Sequence, residues 1–252
     1  MDIAQVLRAY DTEIRARPVV RPGRTVEDDG RIVTSVSGFN FVSWWRLTSA
    51  DVSEAVAAHA ARFRTAGQSL IWRVYDHDGP PELSACLAEN GFRPGPPGAL
   101  MFLDLAEPPA DEPPAADIRR AVTPAGVADF LAVSDRVFGT DEAERRQGIF
   151  VSRLEDPGFA LYVAYVDERP VASAHLETAP GQPFGALFGG GVDPEHRGRG
   201  LYRALVNARA DEARRRGARY LSIEAGDMSR PILERLGFVS AVQEVTWVLP
   251  KL

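Results

Sequence analysis

The stretch Phe184–Gly217, FGALFGGGVDPEHRGRGLYRALVNARADEARRRG, constrains this chain more than any other. Phe184 to Val192 reads as a strand, and Asp193-Pro194 breaks it, because proline has no N–H for a ladder. The turn Glu195–Gly200 then opens an amphipathic helix at about Leu201. That helix stops at Gly217, a residue suited to a left-handed cap. The first N–H groups of a helix have no carbonyl partner within it, and the helix dipole adds positive charge at the same end. Gly198 and Gly200 remove side chains, so a ligand can approach the backbone. Arg197 and Arg199 add two cations. Between a strand and a helix, this turn suits a phosphate or pyrophosphate. Outside that context the same letters would read as an ordinary turn with solvated arginines.

Two common phosphate motifs are excluded. A P-loop needs GxxxxGK[ST], and Lys251 is the only lysine. A Rossmann fingerprint needs a third glycine where Arg203 stands. The sequence Arg197-Gly198-Arg199-Gly200-Leu201-Tyr202 instead resembles motif A of the GCN5-related N-acetyltransferases (GNAT): Arg or Gln, two residues, Gly, one residue, then Gly or Ala. Tyr202 departs from the small last residue. The resemblance implies that backbone N–H groups from Arg197, Gly198, Arg199, Gly200, Leu201 and Tyr202 hold the pyrophosphate of acetyl-CoA as co-substrate.

Around this corner, Asp117–Val122 reads as a strand and Thr123-Pro124 as a capped helix start. A more polar helix spans about Asp141–Leu154. Strands follow at Ala160–Val166 and Pro170–Thr178. Beyond the long helix come a strand at Arg219–Ala225, a short helix at Ser229–Leu236 and a closing strand at Glu244–Leu249. This order is similar to the GNAT fold, and the resemblance makes the 141–154 helix a substrate wall. Before it, Glu107–Ala116 carries four prolines and three acids and reads as an extended spacer.

The first half reads as a helix at 2–17, a loop at 19–30, and a strand at 31–47 broken near Gly38-Phe39-Asn40. A helix over about 51–65, a strand at Leu70–Tyr75, a helix from Pro80-Pro81-Glu82 to Gly91 and a strand at Ala99–Leu105 complete it. Trp44, Trp45 and Trp72 fit core positions, or the lining of an aromatic pocket. Leu87-Ala-Glu-Asn-Gly-Phe92 parallels Leu233-Glu-Arg-Leu-Gly-Phe238, each before a closing strand. The first copy reaches its long helix through Leu47-Thr-Ser-Ala-Asp51, with no RxxGxG. The expectation is therefore an α/β fold of α+β type, a mixed central sheet flanked by helices, in two tandem GNAT-like domains. Residues 1–106 form a degenerate copy without cofactor, 107–116 the linker, and 117–252 the catalytic domain.

Composition narrows the function. A formal charge of −6 argues against generic nucleic-acid binding. Cys86 is the only cysteine, so neither an intrachain disulfide nor a cysteine zinc site is expected. The four histidines lack HExxH spacing, so no metal is expected. No signal-peptide core and no membrane span are legible, and a cytoplasmic location is expected.

Acetyl transfer from a thioester to an amine needs a route for the amine proton and a donor for the developing oxyanion. Gly189-Gly190-Gly191 weakens strand pairing and invites a bulge. The resemblance implies that the pantetheine arm pairs with Gly191, Val192 and Asp193, and the Val192 N–H is the chosen carbonyl donor. Glu224 matches the position of a glutamate on the fifth strand of some GNAT proteins. Its apolar neighbours suggest a raised pKa, and the alternative is a paired structural carboxylate. His175 and Glu177 share a strand face as a second acid–base pair, or as a solvated face. Leu233 occupies the family's usual tyrosine position and cannot donate a proton. Ser229 stands near the missing asparagine and is a candidate cofactor contact. These features lead to an acetyl-CoA-dependent N-acetyltransferase acting on a small-molecule or peptidyl primary amine. The alternative is an acyl-CoA-binding sensor without catalysis. The sequence carries no sign of oligomeric state.

Overall fold

The computed structural model describes residues 1–21, 23–107 and 115–251. It resolves into two compact units. The first comprises Met1–Met101, Glu224–Arg230 and Ser240–Leu252; the second comprises Phe102–Ile223 and Pro231–Val239. The expected spacer at 107–116 lies outside the described residues from 108 to 114. The spacer alone suggests one cut, between 1–106 and 117–252. The compact units are instead discontinuous in sequence, because the last strand pairs within the first unit, as described next.

The first unit opens with α1 (Ile3–Tyr10), where Asp2 Oδ1 accepts from the N–H groups of Ala4 and Gln5, both at 3.1 Å. The expected helix over 2–17 becomes α1 and one π-helical turn, Asp11–Arg15. The strands β1 (Thr25–Asp28), β2 (Ile32–Val36), β3 (Phe41–Trp45) and β4 (Leu70–Tyr75) follow, with α2 (Val52–Thr65) crossing between β3 and β4. That crossing makes β3 and β4 parallel, whereas β1–β2 and β2–β3 are antiparallel. Then come α3 (Leu83–Glu89), the short β5 (Arg93–Pro94) and β6 (Gly98–Asp104). The loop expected at 19–30 contains the edge strand β1. Its mostly polar TVED gives no alternation to read.

The core of this unit packs Val56, Phe63, Leu70, Leu83 and Leu87 with the fully buried Trp72. Burying side chains of this size contributes roughly 1.5–3 kcal/mol each. Trp72 therefore takes the core option left open for it. Trp247 and Leu249 join the same core from the final strand.

In the second unit, β7 (Asp117–Ala121), β8 (Phe159–Val166), β9 (Arg169–Thr178) and β10 (Phe184–Val192) form an antiparallel series. β11 (Tyr220–Ala225) joins β10 in parallel. The helices are α4 (Pro124–Phe138), α5 (Ala143–Ser152), α6 (Leu201–Arg215) and α7 (Arg230–Arg235). Thr123 Oγ1 caps α4 by accepting from the Gly126 N–H at 3.2 Å, and Gly139 ends it in the left-handed region. Val127, Phe130 and Leu131 of α4 bury against Phe159, Leu161 and Val163 of β8. The last strand, β12 (Val239–Leu249), begins earlier than the expected Glu244. It pairs with β4 from Glu244↔Tyr75 to Leu249↔Leu70, which is why residues from Ser240 onward group with the first unit.

The repeat read in the sequence has the same hydrogen bonds in both copies. Gly91 and Gly237 have φ of 76° and 90°. The Phe92 N–H reaches Leu87 O at 3.0 Å, and the Phe238 N–H reaches Leu233 O at 3.0 Å. Each is the wide bond of a Schellman cap, with a buried phenylalanine just beyond it.

Candidate active site

β10 carries the site. Its parallel ladder with β11 runs over Phe184↔Tyr220, Gly185↔Leu221 and Ala186↔Ser222, and β10 then continues to Val192 beyond the last of these pairs. On its other edge β10 stays with β9, but the register shifts between Phe188↔His175 and Gly191↔Ser173. One extra β10 residue is accommodated there, as the triple glycine suggests. The Asp193 N–H donates to Val171 O at 2.8 Å. Antiparallel residues alternate in direction, so the Val192 N–H and C=O face away from β9, toward the edge that β11 has left.

Two of the three glycines are explained by space. A Cβ on Gly191 would sit 2.5 Å from Val137 Cγ1, so α4 packs directly on strand backbone there. A Cβ on Gly190 would sit 3.1 Å from the Tyr202 ring. The departure at Tyr202 is thus matched by a bare backbone opposite it.

After β10 a single 3-10 turn, Pro194–His196, leads into the arginine–glycine turn. Arg197 Nε donates to Val192 O at 3.2 Å, tying the turn to the strand end. Gly198 and Gly200 have φ of 76° and 79°, the region that favours glycine. A Cβ on Gly198 would meet nothing within 4 Å. No side chain caps α6, no acid lies in its first turn, and its first helical bond is Ala204 N–H to Gly200 O at 3.0 Å. A cleft of about 330 Å³ lies here. Val192, Arg197, Gly198, Gly200, Leu201 and Tyr202, all expected from the sequence, line it. Arg203 and Arg235 line it as well. Arg203 had a signal, in the first turn of α6. Arg235 had none, because only the fold brings α7 to the cleft.

The other expected residues stand elsewhere. Gly191, Asp193 and Arg199 are not among the cleft's lining residues. The Asp193 carboxylate pairs with Arg136 of α4 at 2.9 Å. Ser229 groups with the first unit, and its hydroxyl donates to Gly226 O at 3.2 Å. Glu224 also groups with the first unit. Its Oε1 accepts from Arg73 Nη1 at 2.9 Å and from the Tyr75 hydroxyl at 3.2 Å. Burial holds the Tyr75 hydroxyl well above its ordinary pKa, so it stays a donor. Burial likewise raises the carboxyl of Glu244, which stands 3.8 Å from Arg73 Nε.

His175 is enclosed by Phe130, Phe150, Phe159 and Phe188, with ring centroids 5.2–6.1 Å away. Burial pushes its pKa down to about 3, so the ring is neutral. Glu177 pairs with Arg153 at 2.8 Å. These two are parts of a packed interior and not a solvated face. Leu233 is fully buried. Among the described residues, no group of three or more His, Cys, Asp or Glu is placed to hold a metal ion. No described helix is long and apolar enough to cross a membrane.

A mixed sheet whose parallel strands part beside an uncapped, glycine-led helix defines a GNAT-type α/β fold. Residues 127–238 match the model of the Acetyltransferase (GNAT) family. The whole chain is similar to a GCN5-related N-acetyltransferase from Kribbella flavida, with TM-score 0.71, 18% identity, and coverage of 99% of this chain and 96% of that one. It is also similar to a tandem GNAT protein from the clavulanic acid biosynthesis pathway (TM-score 0.60, 17% identity, 98% and 94% covered). A GCN5-related N-acetyltransferase from Sphaerobacter thermophilus is another (0.58, 17%, 99% and 86%). At these identities the likeness is one of fold, and it extends over both units. None of the curated proteins matches this sequence.

Proposed function

We propose that this chain is an acetyl-CoA-dependent N-acetyltransferase that passes the acetyl group directly to a primary amine of a small molecule or peptide. The observation that carries the reading is the Val192 amide. It faces the edge where β10 outlives its ladder with β11, at the rim of the cleft opened by the 197–202 turn. The residues there fit an acyl-CoA. Glycines at 198 and 200 leave the backbone approachable, no side chain caps α6, and arginines flank the turn. Such a helix start binds a diphosphate through N–H groups and dipole together. Bound acetyl-CoA supplies an activated thioester carbonyl. The Val192 N–H is the group assigned to an oxygen that gathers negative charge, the kind of donor whose removal costs about 2.7–4 kcal/mol elsewhere. Glu224 is assigned the amine's proton, with Arg73 and Tyr75 fixing its orientation. Direct transfer needs no enzyme nucleophile, and Cys86 is buried in the first unit.

The reading extends to a cationic acceptor, which the acidic chain would attract. A second reading, an acyl-CoA-binding sensor, is favoured by Glu224 being already engaged by Arg73 and by the inert Leu233. Titration of acetyl-CoA by calorimetry, followed by a panel of primary amines scored for release of CoA thiol, decides. Binding with amine-dependent release supports the enzyme. Binding with no release from any amine supports the sensor. Absence of binding defeats both.

A further inference from the structure

Arg15 is 5% exposed and meets the reading above only through the Tyr75 ring. It ends the π-helical turn after α1. Its Cζ stands 5.0 Å from the Trp44 ring centroid, 5.3 Å from Trp45 and 4.5 Å from Tyr75. Its Nη1 and Nη2 donate to the two oxygens of Asp78 at 2.9 and 2.8 Å. Nη1 also donates to Asp11 Oδ1 at 2.7 Å. Asp11 is latched in turn by His77, at 2.8 Å. The rings and Asp78 belong to β3, β4 and the turn after β4. Arg15 and Asp11 arrive together on the N-terminal segment.

Adjacent strand residues normally face opposite ways, yet Trp44 and Trp45 both reach this guanidinium. β3 carries an extra residue, Ser43, where Val33↔Trp44 gives way to Thr34↔Val42. Anchoring a helix does not demand this arrangement, because a well-packed apolar side chain can stabilise a buried position as well as an ion pair does. Ring faces around a cation, with a carboxylate meeting both ends of the fork, constitute recognition chemistry for guanidinium over ammonium.

We propose that Trp44, Trp45, Tyr75 and Asp78 form a guanidinium-binding cage that the chain's own Arg15 fills. A ligand bearing a guanidinium, as a small guanidine or an arginine side chain, takes the cage by displacing the segment 3–16. The proposal shares Tyr75 with the groups that orient Glu224, and it is tested by binding alone, with no readout of acetyl transfer. The probes are low-millimolar ethylguanidinium, ethylammonium of equal charge, and N-acetyl-arginine amide, titrated into the full chain by tryptophan fluorescence and calorimetry.

Folded Arg15→Met, verified by circular dichroism, is expected to bind ethylguanidinium about tenfold more tightly than the wild type does, with ethylammonium about tenfold weaker. Adding Asp78→Asn is expected to erase that preference. Tighter binding of the arginine amide than of ethylguanidinium points to a peptide source, and equal binding to a small guanidine. A folded Arg15→Met that binds neither cation, or both alike, overturns the cage. If Arg15→Met does not fold, hydrogen exchange of the 3–16 amides in the wild type decides. Faster exchange with ethylguanidinium and not with ethylammonium supports displacement, and unchanged exchange overturns it.

Discussion

α2 and α6 hold equivalent places in the two units, and they begin in opposite ways. At α2 the chain satisfies itself. Asp51 Oδ1 accepts from the Thr48 N–H at 2.7 Å and the Thr48 hydroxyl at 2.9 Å, and the Val52 N–H reaches Thr48 O at 3.0 Å. Those bonds from Thr48 hold the Asp51 carboxyl below its usual range. Ser49 donates to Glu82 at 2.9 Å, and Glu54 sits in the first turn. Negative charge thus already answers the dipole of α2. Neither helix has a side-chain cap bond, but at α6 glycines and arginines stand where α2 has its acids, and no acid lies in the first turn. Whether negative charge already stands at such a corner depends on a handful of residues, while helix and sheet stay the same.

The largest test of this contrast is to seal the second corner. Arg197→Glu with Gly200→Asp is expected to weaken acetyl-CoA binding by about 1,000-fold, or ~4 kcal/mol. Calorimetry on the wild type should find one acetyl-CoA per chain. Unchanged affinity in the variant, or a second equivalent bound by the wild type, would break the comparison.

Next in size, Glu224→Gln tests the base assignment. Turnover is expected to fall about 100-fold, with acetyl-CoA affinity nearly unchanged. Full turnover across the pH range would return Glu224 to a structural ion pair with Arg73.

Gly191→Ala sharpens the packing side of the contrast. The new methyl meets Val137, and a loss of about 1–3 kcal/mol is expected in denaturant unfolding. Val137→Ala in the same chain should restore part of it. Equal stability of Gly191→Ala and wild type would show that α4 yields at no cost.

The smallest effect concerns His175. Its folded pKa of about 3 lies below the ordinary 6.5, so only the unfolded chain takes the proton as pH falls below 6.5. Its contribution is complete above that value and declines toward pH 3. Melting temperatures of the wild type should drop more steeply between about pH 7 and 5 than those of His175→Phe. Parallel curves would mean that His175 does not drive the acid limb.

How legible all this was depended on how local the cause is. β4 and β10 could be read from the sequence to their ends, because their apolar runs are bounded by turn residues. The glycine-led, uncapped start of α6 was also legible, since glycine, arginine and the strand break sit within a few residues. β1 was not, because a short polar edge strand owes its existence to its partner β2. Nor was the grouping of β12 with β4, whose paired residues lie 169 or more positions apart along the chain, starting from Tyr75 and Glu244. The surroundings of Arg15 were hidden for the same reason. Nothing near position 15 in the sequence announces Trp44, Tyr75 or Asp78. Glu224 shows the intermediate case: its residue type was visible, but Arg73 and Tyr75 beside it were not.

The seating of α4 on naked backbone at Gly191 has an evolutionary corollary. With 2.5 Å between a would-be Cβ and Val137, neither position is at liberty to change alone. Descendants that acquire a side chain on the strand must first trim the helix, so the two sites should be inherited as a matched pair.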